Sequence, residues 1–421
     1  MLLEKQKNEI FKDVTWRDIE KKISKSEAVI EFASFYDEIQ NKDIYYALLL
    51  QKNNKGPELI RLNFDSEKFN LKKLNVDSFY NYSLSGKLLF ESIWQPIQVK
   101  IENATTIIIS PIKFLHNINF SILPLSDDLR LADKFKIRIV SSSREILDST
   151  GLQNFKGLKS SYFFGAINYD KASINSIVNA NDFLSANIPS LISQQRGGYP
   201  TWEYLLGTKK EVQKIKEQFT VSNISSTLFT GVNATEIEIK KLSGKNESYI
   251  LHIATHAFFF PDPTYQKPII NSILDKKTTL SLTDNPLFRS GLIMAGANKF
   301  WNKPANASDT TEDGILTAYE ISNLDLSSCQ LVVLSACETG LGDIKGSEGV
   351  FGLQRAFKLA GVKNIIMSLW KVPDEQTAEL FELFYQNCFK GMSISEALSG
   401  AQSTMSKKYP PYYWAAFKLL E

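Results

Sequence analysis

The stretch QLVVLSACETG, residues 330–340, decides the fold of this chain of 421 residues. Its apolar run is continuous rather than alternating, which is typical of a strand buried on both faces of a parallel sheet. The run ends in Cys337, and Gly340, Gly342 and Gly346 follow it. Because ligands and chemistry gather at the carboxyl ends of such strands, the sequence predicts a functional loop directly after Cys337.

Similar runs lie on both sides of this stretch. SYILHIAT (residues 248–255) precedes it, and VKNIIMSLW (residues 362–370) follows it, with helical patterns between and after the runs. Continuous apolar strands that alternate with helices predict a mostly parallel sheet that is covered by helices on both faces. We therefore expect an α/β fold.

The rest of the chain suggests three regions. Residues 1–25 are polar and favour a linker helix, which fits attachment to an upstream module. Residues 26–150 contain shorter β-type runs and form an N-terminal unit, and residues 151–421 form the unit that carries Cys337. The long segments 167–204 and 261–289 lack a periodic pattern, so we expect mobile loops beside the cleft.

The composition excludes several classes of protein. Lys and Arg total 48 against 46 Asp and Glu, and this near-neutral balance argues against a general nucleic-acid or membrane-surface role. The charged N-terminus does not read as a signal peptide, and no apolar run reaches the ~18 residues of a membrane span. Three cysteines are too few for a secreted disulfide framework, so we expect a cytoplasmic protein.

The residue types at two strand ends point to thiol chemistry. His256 directly follows the run 248–255, and a histidine close to Cys337 can accept the proton of its thiol. The alternative is that Cys337 is a small core residue after a buried strand. His252 lies on the same face of its strand as His256 and is expected to be a core or supporting residue. With three histidines at unsuitable spacings, we expect neither a metal nor a cofactor.

At this point a family resemblance adds to the residues. The block LVVLSACETGLGDIKGSEGVFGLQRAFKLAGVKNIIMSLWKVPDE, with LHIATHAFF and GILTAYEISNLDL upstream, closely resembles the CHAT domain, a caspase-like peptidase family related to separase. The resemblance implies a caspase-like sheet with an N-terminal, non-catalytic caspase-like half. It also implies that Cys337 and His256 form a catalytic dyad that cleaves a protein substrate.

The same resemblance suggests the remaining site residues. Backbone amides near the dyad stabilise the oxyanion in this family, which carries over to Ala257 and Cys337, although a glycine is usual where this chain has Ala257. The segment LWKVPDE resembles the separase segment that binds a basic side chain. We therefore expect Asp374 to bind that side chain and Trp370 to form a pocket wall, with Glu338 as a further acidic contact.

Some of these expectations leave alternatives open. Asp374 can instead cap the helix predicted over residues 374–389. The resemblance also implies an upstream sensor or a tetratricopeptide-repeat regulator as partner, and some family members act in bacterial defence against phage. A catalytically silent caspase-like scaffold that binds a partner is the alternative to an endopeptidase, and a thiol hydrolase of another substrate class is a third option.

Overall fold

The computed structural model describes residues 14–52, 54–66, 69, 76–81, 83–148, 154–173, 201–260, 286–301, 312–337 and 348–421. For residues 76, 148, 286, 337 and 348–351 the description covers the backbone. Glu338, most of the segments 167–204 and 261–289, and the start of the predicted linker helix lie outside the described residues.

A first, mixed sheet is built from residues 27–139. Its strands run in the order β3-β2-β1-β4-β5, with β1, β2 and β3 antiparallel and β1, β4 and β5 parallel. Residues Ile107, Ile108 and Ile109 of β4 are fully buried, as the continuous apolar run predicts. The strands are β1 (Glu27–Asp37), β2 (Lys42–Gln51), β3 (Glu58–Arg61), β4 (Thr106–Ser110) and β5 (Lys136–Ile139).

Helices cover parts of both faces of this sheet. On one face, Ile19 and Ile23, in and directly after the first helix, pack with Val29, Leu50 and Ile108 in a small apolar cluster. The other face belongs to the main core, which continues into the second sheet. The helices are α1 (Trp16–Lys22), α2 (Val76–Tyr80), α3 (Leu84–Leu89), α4 (Gln95–Gln98) and α5 (Leu131–Lys134).

The second sheet carries the predicted site. Its centre is parallel, in the order β7-β6-β8-β11-β12, whereas β13 pairs antiparallel with β12, β9 with the end of β8, and β10 with β9. The sheet is therefore mixed, with a parallel centre. The strands are β6 (Ser160–Ile167), β7 (Ser225–Gly231), β8 (Tyr249–Phe259), β9 (Ser290–Ile293), β10 (Ile315–Thr317), β11 (Cys329–Cys337), β12 (Asn364–Ser368) and β13 (Phe417–Leu420).

The end predicted for the histidine strand was wrong. The strand does not stop before His256, because β9 pairs with residues 257–259 and extends β8 to Phe259. The helices around this sheet are α6 (Leu206–Val221), α7 (Glu236–Lys240), α8 (Asn298–Trp301), α9 (Ala318–Ser322), α10 (Glu348–Leu359), α11 (Asp374–Phe389) and α12 (Ile394–Met405). None of the helices in the described part of the chain combines the length and the apolar character needed to span a bilayer.

The two sheets meet along β13. The Asn119 amide donates to the carbonyl of Ala415 at 2.9 Å and to that of Phe417 at 3.2 Å. The Glu421 N–H donates to the Ile139 carbonyl at the end of β5, at 2.8 Å. These bonds satisfy the Phe417 carbonyl of β13 and backbone groups directly before and after this strand, so β5 and the segment between β4 and β5 cover part of the edge of the second sheet.

Candidate active site

Cys337 and His256 occupy partnered positions in the second sheet. β8 and β11 are adjacent and parallel, and their register pairs His256 with Cys337. Neighbouring strands lie about 4.8 Å apart, and partnered positions share a face of the sheet. Cys337 is the last residue of β11, as predicted. The backbone thus places side by side the two residues that the sequence suggested.

The His256 ring is held by a backbone carbonyl. Its Nε2 atom lies 2.8 Å from the carbonyl oxygen of Glu203, in the segment that precedes α6. A carbonyl can only accept a hydrogen bond, so Nε2 carries a proton and donates. In the neutral ring the lone pair is then on Nδ1, which is the nitrogen that can act as a base. The residue is 9% exposed, so this contact forms largely shielded from water.

Two aromatic rings flank His256. The Trp202 ring centroid lies 5.0 Å from that of the imidazole, and the Tyr169 centroid lies 5.1 Å from it. The Tyr169 hydroxyl lies 3.1 Å from Oγ1 of Thr255, one residue before His256. Burial and, to a smaller extent, the charge of Asp374 raise the pKa of Tyr169, so this phenol stays protonated at neutral pH. The rings restrict the imidazole and limit its contact with water.

The backbone amides expected to bind an oxyanion point along the sheet. The Ser368 hydroxyl donates from β12 to the Ala336 carbonyl at 2.8 Å, so the Cys337 N–H, one residue later, faces β8. The Phe260 N–H donates to a carbonyl beside β9 at 2.7 Å, so the alternation of an antiparallel pair turns the Ala257 N–H towards β11. A substrate carbonyl can therefore reach these two amides only where β8 and β11 separate.

Asp374 contacts a helix other than its own. Its Oδ2 atom accepts from the Gly207 N–H at 2.8 Å, at the start of α6. The negative charge suits that helix end, where backbone N–H groups lack partners. At its own helix, α11, the N-cap is Pro373 and no side chain caps the helix. The alternative that Asp374 caps α11 was wrong, because its carboxylate accepts from the Gly207 N–H of α6 instead.

Trp370 lies at the junction of the two sheets. It is 5% exposed, its Nε1 donates to the Tyr412 carbonyl at 2.8 Å, and its ring stacks on that of Tyr80 at 5.7 Å. The indole therefore fixes the chain directly after β12, four residues before Asp374.

His252 belongs to a buried network on the same strand as His256. Its Nε2 lies 2.8 Å from Oε1 of Glu211 on α6, and its Nδ1 lies 3.0 Å from the Tyr385 hydroxyl on α11. All three side chains are at most 1% exposed. Burial raises the pKa of Tyr385 well above its usual range, so the phenol remains a donor to Nδ1. The prediction of a supporting core residue is confirmed: His252 ties two helices to β8.

The carboxylates of Glu236, Glu312 and Glu320 also approach one another, within 4.8 Å. The Lys240 ammonium binds all three, at 3.3 Å to Glu236 and 2.9 Å to Glu320, with a closer contact to Glu312. Burial alone would lower the pKa of Lys240, but the three negative charges outweigh it and raise the pKa. Lysine thus supplies the positive charge at this cluster.

Comparison with known proteins gives the family. The model of the CHAT domain matches residues 84–420, which include β8, β11 and both residues of the pair. The chain belongs to the CHAT-domain family. CHAT domains are related to caspase-like cysteine peptidases, and the mixed α/β architecture is consistent with that relationship.

Two long animal proteins match part of this chain. Tetratricopeptide repeat protein 28 of Mus musculus is 33% identical over 110 residues, and that of Homo sapiens is 33% identical over 109 residues. Each match covers 25% of this chain and 4% of the relative. The chain therefore spans a small fraction of the length of these relatives.

Sequence reasoning missed the residues that surround His256. Glu203 acts through its backbone carbonyl, which leaves no trace in residue type, and it lies 53 residues before His256. Trp202 and Tyr169 border a long polar segment without periodicity. A tryptophan just before a helix start was the available signal for this contact.

Proposed function

We propose that this CHAT protein is a cysteine endopeptidase in which Cys337 is the nucleophile and His256 is the general base. The observation that carries the proposal is the register pairing of these residues, together with the Glu203 carbonyl on Nε2 of His256. That contact leaves Nδ1 as the basic nitrogen. Membership of a family related to cysteine peptidases supports the same reading.

The reaction would be an acyl transfer in two stages. His256 Nδ1 takes the thiol proton, and the Cys337 sulfur bonds to the carbonyl carbon of the substrate peptide. The C–N bond then breaks, and the imidazolium returns its proton to the leaving amine. Water, deprotonated by the same nitrogen, hydrolyses the thioester and regenerates the thiol. The Glu203 carbonyl stabilises the imidazolium, because both ring nitrogens then donate.

The oxyanion of each tetrahedral intermediate needs donors. We assign this role to the N–H groups of Ala257 and Cys337, which face each other's strand. Substrate binding would separate the ends of β8 and β11 and admit the substrate carbonyl between them. The methyl group of Ala257 reduces the space available in comparison with glycine.

For specificity we propose cleavage after a basic residue. Asp374 uses one carboxylate oxygen for Gly207, and its negative charge remains available to a guanidinium or ammonium group. The proposal is supported by position: Asp374 binds Gly207, four residues after Glu203, whose carbonyl contacts His256. Glu338, next to the nucleophile in sequence, is a second acidic candidate for binding the basic side chain. Trp370 holds in place the chain that leads to Asp374.

Control by a sensor module, in particular one with tetratricopeptide repeats, is part of the proposal. Its support is that a related stretch occurs within far longer proteins named for such repeats. The division into an N-terminal unit over residues 26–150 and a peptidase unit over residues 151–421, a cytoplasmic location and a role in bacterial defence rest on the sequence and the family resemblance.

The deciding experiment compares newly formed peptide ends in a proteome. The full chain, with its activating partner where one is needed, should generate ends that follow Arg or Lys. Cys337→Ala and His256→Ala should generate none of these ends. Cys388→Ser, which changes a buried cysteine outside the proposed dyad, should generate the same ends as the wild type. Full cleavage by either dyad variant would refute the assignment.

A non-enzymatic scaffold is the alternative from another class. A scaffold does not need a basic Nδ1 on the histidine that is paired with its cysteine, and the Glu203 contact, which favours such a base, therefore supports the enzyme. A peptide probe with a thiol-reactive end separates the two functions. Selective labelling of Cys337 that is lost in His256→Ala supports the enzyme, and equal labelling in both proteins supports the scaffold.

A further inference from the structure

The segment that binds His256 has no regular structure of its own. Residues 201–205 directly precede α6 and lie outside any strand or helix. Glu203 nevertheless places its carbonyl 2.8 Å from Nε2 of His256, and Trp202 places its ring on the imidazole. Side chains from elsewhere in the fold help to set the position of both residues.

Asn298, at the start of α8, provides this hold. The Trp202 N–H donates to Oδ1 of Asn298 at 2.8 Å, and Nδ2 of Asn298 donates to the Trp202 carbonyl at 3.0 Å. One side-chain amide thus pairs with both backbone groups of one residue, and only one orientation of the amide satisfies both bonds. Trp202 is fixed directly beside Glu203.

The same asparagine also fixes the second ring beside His256. Its backbone N–H donates to the Tyr169 carbonyl at 2.8 Å, and its Nδ2 donates to Oδ1 of Asp170 at 2.9 Å. The segment that carries Tyr169 and the segment that carries Trp202 are therefore tied together at Asn298.

At its other end the segment is held by Asp374, through the Gly207 N–H. A Cβ atom on Gly207 would lie 2.0 Å from Cβ of Asp374, so this close contact requires glycine. Residues 202–207 are thus attached at both ends, and Glu203 lies between the attachment points.

We propose that Asn298 is a positioning residue of the dyad. By holding Trp202 it keeps the Glu203 carbonyl on Nε2 of His256, so that the proton stays on Nε2 and Nδ1 remains the base. The consequence for catalysis rests on the proposed peptidase function. The effect on the His256 tautomer does not, because it is argued from the hydrogen bonds of Glu203 and Asn298.

The test compares Asn298→Ala and Asn298→Asp with the wild type and with Asn387→Ala. Asn387 is a matched control, because it is half-buried like Asn298. Its amide donates from α11 to the Ala397 carbonyl on α12 and takes no part in the contacts described above around His256. The readout is the long-range ¹H–¹⁵N spectrum of the imidazoles, which is tractable because the chain has three histidines. His256→Gln assigns the His256 signals.

We expect the wild type and Asn387→Ala to hold His256 in the Nε2–H form, and Asn298→Ala to show a mixture of both tautomers. Asn298→Asp, which keeps the acceptor for the Trp202 N–H but loses both donors, should fall between them. In peptide cleavage, kcat should fall by about 10²-fold in Asn298→Ala with a small change in KM, because the loss affects alignment rather than binding.

An unchanged tautomer in folded Asn298→Ala or Asn298→Asp would overturn the inference, whatever the activity. If the wild type, tested with its activating partner where one is needed, cleaves no peptide but the tautomer shifts as expected, the positioning role stands and the peptidase proposal fails. If cleavage occurs and neither tautomer nor kcat changes in the variants, the positioning role fails alone.

Discussion

Cys337 is the register partner of His256 on the adjacent parallel strand. Both positions are therefore set by the ladder of the sheet, and the loop after Cys337 is not needed to bring them together. The two other cysteines lie elsewhere: Cys329 begins the same strand and Cys388 lies in α11, and both are buried. Burial raises the pKa of both thiols, which makes them poor nucleophiles.

This difference predicts selective alkylation. At pH 7, iodoacetamide should modify Cys337 at least about tenfold faster than Cys329 or Cys388 in the native protein, because Cys337 is the register partner of His256 whereas burial raises the pKa of the other two thiols. Mass spectrometry of timed samples measures the three rates. His256→Ala should slow the reaction of Cys337 alone, and comparable rates at all three cysteines would contradict the pairing.

A second prediction separates the two roles of Asp374. Asp374→Asn keeps an oxygen that accepts from the Gly207 N–H but removes the charge. We expect it to fold normally and to lose about 10- to 100-fold in kcat/KM after Arg, in line with the loss of a charged hydrogen bond.

Asp374→Ala should lose that activity and also about 1 kcal/mol of stability, because the start of α6 loses its acceptor. Urea unfolding and cleavage assays of both variants provide the comparison. Full activity of the Asn variant on basic substrates would leave Asp374 with the helix contact alone.

The sequence predicted the centre of the second sheet well. β8, β11 and β12 are continuous apolar runs, and a run of this kind by itself indicates a strand that is buried on both faces. It did not predict β7, β9, β10 or β13. β9 and β10 have four and three residues, and β7 mixes serine and threonine with few apolar residues, so their pairing depends on partners far along the chain.

For the site, the sequence indicated the reactive side chains at strand ends, but it did not indicate the hydrogen bonds that hold them. Cys337 and His256 could be paired because reactive residues follow two strands of one sheet. The Glu203 carbonyl and the Asn298 amide could not, since neither a carbonyl nor an asparagine identifies its partner. Asp374 shows the same limit: its acidity suggested a contact, but the choice of Gly207, 167 residues away, is a product of how α6 and α11 pack.

A third prediction concerns the buried network of His252. Glu211→Ala should reduce the free energy of unfolding by about 3 kcal/mol, because it leaves a buried imidazole N–H without its acceptor. Glu217→Ala, an exposed change on the same helix, should stay within about 0.5 kcal/mol of the wild type. Urea denaturation of the two variants tests this, and equal stabilities would show that the network contributes little.

The fourth prediction is a dependence of stability on pH through Lys418. Burial lowers its pKa from 10.5 to about 7, and its ammonium donates to the His116 carbonyl at the junction of the sheets. Between pH 7 and 10.5 the unfolded chain therefore binds more protons at this residue than the native protein does. Its contribution makes the free energy of unfolding rise with pH across this window, by up to about 1.4 kcal/mol per unit.

Lys418→Met should remove this rise, whereas Lys407→Met, an exposed change nearby in sequence, should retain it. Denaturant midpoints measured at several pH values from 7 to 10 give the slopes. Parallel slopes for the wild type and Lys418→Met would mean that the buried amine does not titrate as expected.

The seam along β13 limits how far the protein can be trimmed. A minimal fragment that starts at residue 151 would keep Cys337 and His256 but lose Asn119, which covers the carbonyl of Phe417, and Tyr80, which backs Trp370. The edge of its last strand would keep the bond from Gln402 to the Phe417 carbonyl but lose the rest of this cover, and the segment between β12 and Asp374 would lose the ring contact of Tyr80 with Trp370. Efforts to isolate the peptidase unit should therefore carry the first sheet along as an integral scaffold.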